Sequence, residues 1–217
     1  MKTIICFDGC HGVGKTTLLN KLFDSNQFLD EGFLSEYEMK KSEMTQFQSS
    51  YLDEEELRQS DDFDDCDDCD ECKDKENIAD PQSFENEQLW VCKWFRRINE
   101  QTDQVIICDR SPLAACAYVK TDKELLEQQI IQKIKSLDIQ FHILILDIDL
   151  ETTMKQIQKR LKKEPFRKKY NEDDIQYTSK VWKFFHKMKR LNFISKNLHI
   201  HSFKNQNELV EFYKLLI

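Results

Sequence analysis

Short apolar runs alternate with stretches of helical period along most of this chain. Ile4-Ile5-Cys6-Phe7 reads as a buried strand, and Thr17, Leu18, Leu19, Leu22 and Phe23 give the following helix an apolar side. Ser25 to Asp30 reads as a loop and Gly32 to Ser35 as a short second strand. Met44, Phe47, Tyr51 and Leu57 form the apolar stripe of a helix over 43–58. Periodicity resumes over 83–100, where Phe84, Gln88, Leu89, Cys92, Phe95 and Ile98 recur at helical spacing. The run from Gln104 to Cys108 is another buried strand, and it ends in Asp109-Arg110-Ser111-Pro112. Helices are predicted over 113–119 and 122–136, a strand over 141–148, and a helix over 150–163 capped by Asp149. A basic loop from Lys162 to Lys169, broken by Pro165, leads to a long helix over about 173–192. A strand over 198–203 and a helix over 206–216 close the pattern. Strands that are apolar throughout, alternating with helices, predict an α/β fold. Its centre is a parallel sheet of about five strands with helices on both faces.

At 217 residues the chain suits a single domain spanning 1–217. No apolar run approaches the roughly 18 residues of a membrane span, so no membrane partner is expected. The apolar part of MKTIICFDG is too short for a signal peptide. The eight cysteines include Cys6 and Cys108 in core strands, which is reduced, intracellular usage and points to the cytoplasm.

Charge changes the picture more than composition does. The net charge is −8, but residues 53–76 alone carry −11 while residues 155–190 carry +9. The acidic stretch predicts a disordered insertion at 59–82. Within it Cys66, Cys69 and Cys72 form C-x-x-C-x-x-C, a spacing at which thiolates can share one metal ion. No fourth ligand of matching spacing lies nearby, so a solvated acidic loop is the favoured reading. The basic stretch offers charge to nucleic acid, but the chain as a whole is acidic and a nucleic-acid role is not expected.

The chemistry concentrates where the first strand ends. Gly9-Cys10-His11-Gly12-Val13-Gly14-Lys15-Thr16 is G-x-x-x-x-G-K-[ST], preceded by a strand and followed by a helix, as a phosphate-binding loop requires. Three of the chain's four glycines sit in it. They free backbone N–H groups to cradle phosphate oxygens at a helix N-terminus. Lys15 then reaches the β- and γ-phosphates of ATP, Thr16 ligates Mg²⁺, and Thr17 continues the cradle. With no glycine after Gly32, a D-x-x-G switch and an L-S-G-G-Q signature are both excluded, which leaves small-molecule kinases and divergent ATPases.

The segment V-I-I-C-D-R-S followed by A-C-A-Y-V resembles the [DE]-R-S region of deoxynucleoside kinases and the D-R-Y region of thymidylate kinases. F-D-G-x-x-G-x-G-K-T-T is similar to the thymidylate kinase loop. L-I-L-D-I-D-L-E with I-x-K-R and a basic lid at 160–170 is common to both groups. The resemblance implies a P-loop kinase fold, ATP and Mg²⁺ as cofactors, a nucleoside or nucleotide as substrate, and a homodimer. It implies a metal role for Asp109, a phosphate-bridging role for Arg110, and nucleotide contacts from Arg160 and Arg167 in the lid. A nucleoside's neutral 5′-hydroxyl gains from a carboxylate base. The resemblance places that base just after the second strand, at Glu36, with Glu38 in reserve. Gln88 resembles the base-reading glutamine of F-x-x-Q, one residue further from Phe84 than in the family, and Phe84 can stack on a base. The family's E-P-x-x-x-W and R-E-P-G-G patterns are both absent. Three readings therefore stay open. The first is a deoxynucleoside kinase. The second is a deoxynucleoside monophosphate kinase such as thymidylate kinase. The third is a non-catalytic nucleotide-binding regulator that uses the acidic tract for interaction.

Overall fold

The computed structural model describes residues 2–23, 29–30 and 83–217. Five strands form one sheet: β1 (Lys2–Asp8), β2 (Leu29–Asp30), β3 (Val105–Asp109), β4 (Ile139–Leu146) and β5 (Leu198–Phe203). Their order is β2-β3-β1-β4-β5, and every neighbouring pair is parallel. Parallel pairing requires crossovers, and the helices supply them. They are α1 (Lys15–Leu22), α2 (Phe84–Glu100), α3 (Ala115–Tyr118), α4 (Lys123–Ser136), α5 (Leu150–Leu161), α6 (Ile175–Lys187) and α7 (Gln206–Leu216). Among the described residues, no helix is long and apolar enough to cross a membrane.

The central strands are apolar because both faces are covered. Ile4, Ile5, Cys6, Cys108, Phe141, Ile143 and Leu144 are all fully buried, and Cys6 lies in register with Cys108 on one side and Ile143 on the other. Four helix starts carry the side-chain caps their sequences offer. Ser83, Asp149, Asp174 and Asn205 each accept a backbone N–H of the first turn of α2, α5, α6 and α7. Trp94 of α2 is fully buried against Phe95 and Phe141, and its indole N–H donates to the Arg110 carbonyl at 3.1 Å. That bond ties the packing of α2 to the loop that leaves β3.

Several boundaries differ from the sequence expectation. The described part of the second strand is Leu29–Asp30, inside the stretch that the pattern reads as a loop, and it pairs with Cys108 and Asp109. A two-residue ladder carries no periodicity to detect. β4 begins at Ile139 rather than 141, because Ile139 and Gln140 pair with Lys2 and Thr3. The helix expected over 173–192 is α6 followed by a 3₁₀ segment, Met188–Phe193. There Asn192 donates to the Ile200 carbonyl of β5 at 2.8 Å. The expected strand at 32–35, the helix at 43–58, the insertion at 59–82 with Cys66, Cys69 and Cys72, and Glu36 and Glu38 all lie outside the described residues.

The chain leaves β1 first towards β2 and β3 and later towards β4 and β5, so the sheet's switch point lies at β1. Ligands of open parallel sheets bind beyond the carboxyl ends of the strands at that point. Asp8-Gly9 and Asp109-Arg110 meet there.

Candidate active site

The loop after β1 is shaped by its glycines. Gly9, Gly12 and Gly14 have φ of +139°, +82° and +94°. A Cβ on Gly9 would lie 2.6 Å from the Leu146 carbonyl oxygen, so the loop wraps against the end of β4. A Cβ on Gly12 would lie 2.5 Å from Ile157 Cγ1 of α5. Gly12→Ala therefore combines a left-handed backbone with a core clash. It is expected to destabilise the fold by about 1–3 kcal/mol, read as a lower Tm in thermal melting. Cys10 and Val13 are buried beneath the loop, while Thr16 and Thr17 are exposed at the start of α1. Burial pushes the Cys10 thiol up to about 12, which keeps it protonated and poorly reactive.

Lys15 folds back over the loop. Its Nζ donates to the carbonyls of Gly9 at 2.8 Å and Cys10 at 3.0 Å. Burial first, and the Arg110 charge second, bring its pKa down to about 8. Thr16 Oγ1 donates to Asp109 Oδ2 at 2.8 Å. The other oxygen, Asp109 Oδ1, is buried and has no hydrogen-bond partner. A hard divalent cation is held by oxygen donors. The lone Asp109 oxygen beside the Thr16 hydroxyl, at the mouth of a phosphate loop, fits Mg²⁺. The ion would there neutralise charge on the phosphates.

Asp8, the last residue of β1, is fully buried, which raises its pKa to about 6 against the lowering effect of its bonds to Ser111. Its Oδ1 accepts the Ser111 N–H at 3.1 Å and its Oδ2 accepts the Ser111 hydroxyl at 2.5 Å. This clamp holds the Asp109-Arg110-Ser111 turn against β1. Arg110 itself has φ of +90°, a strained conformation for a residue with a Cβ, and such strain collects at functional sites. Its Nη1 donates to the Tyr118 hydroxyl at 2.9 Å, with the guanidinium carbon 5.2 Å from the centre of that ring.

The lid arginines converge on one acid. Arg160 Nη2 pairs with Glu172 Oε2, and Arg167 Nε lies 3.4 Å from the same oxygen. Glu172 is buried, and its Oε1 has no hydrogen-bond partner. The 3₁₀ turn Pro165–Tyr170 places Arg167 there. The lid is also seated on the phosphate loop through His11. The His11 ring stacks on Tyr177 with centroids 6.0 Å apart, and its Nε2 lies 2.8 Å from Thr178 Oγ1. The Thr178 hydroxyl donates to the Glu172 carbonyl at 3.3 Å, so His11 is the donor in its own bond. Burial, helped by the nearby Lys15 and Arg110 charges, lowers the His11 pKa to about 3 and keeps the ring neutral.

The structure thus brings together Gly9, Cys10, His11, Gly12, Val13, Gly14, Lys15, Thr16, Asp109 and Arg110, with Arg160 and Arg167 joined through Glu172. It places Phe84 and Gln88 differently. Phe84 is the first residue of α2 and packs against the core. Gln88 is half-buried and its Nε2 donates to Gln129 of α4 at 3.1 Å. Four groups of the site are missed by sequence reasoning: Asp8, Glu87, Tyr118 and Glu172. Asp8 carried a usable signal, since it is an acid ending an otherwise apolar strand, whereas Glu87 lies among Glu85, Asn86 and Gln88 and carried none. Glu172 sits among charged residues and carried none.

A family model described as an AAA domain, AAA_28, matches residues 4–175. The chain belongs to this family. A search of curated proteins finds no match. Among solved structures, the chain is similar to the deoxyadenosine kinase from M. mycoides with bound dATP. The identity is 12%, the TM-score is 0.52, and all of this chain and 99% of that one are covered. The same kinase with bound dCTP matches at 12% identity and a TM-score of 0.49, covering all of this chain and 98% of that one. The likeness to the dATP-bound structure shows the fold, a P-loop kinase fold.

Proposed function

We propose that the protein is a nucleoside kinase that transfers the γ-phosphoryl of ATP, with Mg²⁺, to the 5′-hydroxyl of a deoxynucleoside. The observation that carries this reading is the charge balance around Arg110. Among the described residues, Arg110 is the one cation acting on the buried Glu87 carboxyl of α2, and the Asp8 carboxylate just before the phosphate loop is taken up by Ser111. A dianionic monophosphate needs several cations there, whereas a neutral hydroxyl does not. In this reading Lys15 and the loop amides hold the β- and γ-phosphates. Thr16 and Asp109 hold the metal ion. Arg110 bridges the acceptor oxygen and the moving phosphoryl with a planar fork suited to phosphate. Arg160 and Arg167 leave or share Glu172 to meet the nucleotide, and Glu36 accepts the hydroxyl proton.

The test is ATP consumption against a panel of deoxynucleosides and their monophosphates, with Lys15→Ala as the control. Turnover with a nucleoside that vanishes in the control is the expected result. Turnover with monophosphates alone would move the protein to the thymidylate-kinase reaction and release Glu36 from a base role. ATP binding without any turnover would favour the regulatory reading and overturn the kinase one.

A further inference from the structure

Lys180, Lys183 and Lys187 follow one another on α6 at spacings of three and four, so they form a row along one side of the helix. At 1.5 Å per residue the row is roughly 10 Å long. It is one wall of a groove of about 740 Å³ between α6 and the start of α4. Lys123, the first residue of α4, and Arg190, in the 3₁₀ segment after α6, line the same groove. Among the described residues, Glu124 is the only acid in the lining. Arg190 is engaged outside it, with Glu127 at 2.7 Å. None of the four lysines forms an ion pair among the described residues. The floor is apolar, with Leu150, Ile175 and Phe184, and the Lys123 ammonium stands 4.2 Å from the centre of the Phe184 ring. Burial lowers the pKa of Lys123, and Lys180 and Arg190 push it the same way. These cations therefore stand in each other's field, and an anion among them would relieve the repulsion.

We propose that this groove is a second anion site, apart from the phosphate loop, and that its ligand is a small molecule with two or three linked phosphates. Setting Glu124 and Glu127 against the five cations leaves a surplus of three positive charges. About two phosphates balance that surplus, at roughly −1.5 to −2 each. Four of the five cations are lysines, whose point charges suit phosphate oxygens, whereas paired carboxylates favour the arginine fork. The volume lies within the range of small-ligand sites, roughly 300–1,000 Å³. A second copy of the chain is a poor occupant, because a two-fold interface sets each patch against itself and here would set cation against cation. The groove shares no lining residue with the phosphate loop or the Asp109-Arg110 turn. It is nevertheless joined to them, since Tyr177 and Thr178 of α6 meet His11. A ligand that ties α6 to α4 therefore also steadies the helix on which the lid is seated.

The experiment is calorimetric titration of the full chain with inorganic tripolyphosphate, with orthophosphate and with a single-stranded oligonucleotide, at about 50 mM and about 300 mM salt. Wild type is compared with Lys15→Ala, with the double variant Lys183→Gln and Lys187→Gln, and with the triple combination. Tripolyphosphate is expected to fill two sites in wild type, of which Lys15→Ala keeps the groove. In the Lys15→Ala background the two glutamines should weaken the remaining site by about tenfold. Binding there should weaken at the higher salt, and orthophosphate should bind far less tightly than tripolyphosphate. Both lysines are exposed, so the double variant should melt like wild type without ligand, and tripolyphosphate should raise its Tm less. Equal affinities with and without the two glutamines would overturn the assignment. So would orthophosphate binding as tightly as tripolyphosphate, and tighter binding of the oligonucleotide would make the groove a nucleic-acid surface instead. None of these readings needs turnover, so a protein that phosphorylates no nucleoside fails the kinase reading and leaves this test intact.

Discussion

Lys15→Ala is expected to lower kcat for ATP turnover by about 10³-fold, close to what a preorganised donor in a dry site contributes. Lys15 is 7% exposed and its ammonium is held by two loop carbonyls, so its charge acts on the phosphates with little screening by water. Removing it takes away the one cation that the loop itself supplies. The same burial makes the effect depend on pH. With a pKa brought down to about 8, Lys15 is charged below that value and neutral above it. ATP affinity of the wild type, measured by titration without acceptor, should fall as pH rises through this range. The variant should show no such fall. Melting curves for both proteins separate the loss of charge from a loss of fold. An affinity that is flat with pH in both would remove Lys15 from the phosphate site.

Arg110→Ala should cut kcat by about 10³–10⁵-fold while KM for ATP moves little, the pattern of a group that acts on the transition state more than on bound nucleotide. The strained backbone makes this comparison clean. At φ of +90° alanine bears the same steric burden as arginine, so the difference between the two reports the side chain. Arg110→Lys keeps the charge but loses the fork, and with it the bond to the Tyr118 hydroxyl. It should recover only a small part of the lost rate. Steady-state kinetics at saturating ATP check both. A variant that kept kcat and lost ATP affinity would make Arg110 a nucleotide ligand instead.

Glu172 shows how the two ends of the lid depend on each other. It lies 12 residues after Arg160 and 5 after Arg167, and its carboxylate joins both. Each arginine is legible in the sequence as lid charge. Their common partner is not, because the 3₁₀ turn at Pro165–Tyr170 sets the spacing and leaves no periodic trace. The same holds for Asp8. In the sequence it is the last residue of a strand before a phosphate loop. In the fold it is the clamp on Ser111, 103 residues away.

The amino-acid sequence by itself determined the local chemistry and the order of the elements. Gly-rich geometry with Lys15 and Thr16 can be read without a fold, because a phosphate loop closes within eight residues. Cys6, Ile106 and Ile143 announce central strands, because a strand buried on both faces has to be apolar throughout. Asp109-Arg110 at the end of such a strand already implies a place beside the loop. The tertiary structure alone decided which side chains face the crevice and which acid meets which cation. Helical period shows that α2 has a buried face, but the rotation that buries Glu87 and turns Gln88 towards Gln129 comes from α2 packing on its neighbours. Long-range pairs such as Asp8 with Ser111 join segments whose separation in sequence carries no information about their distance in space.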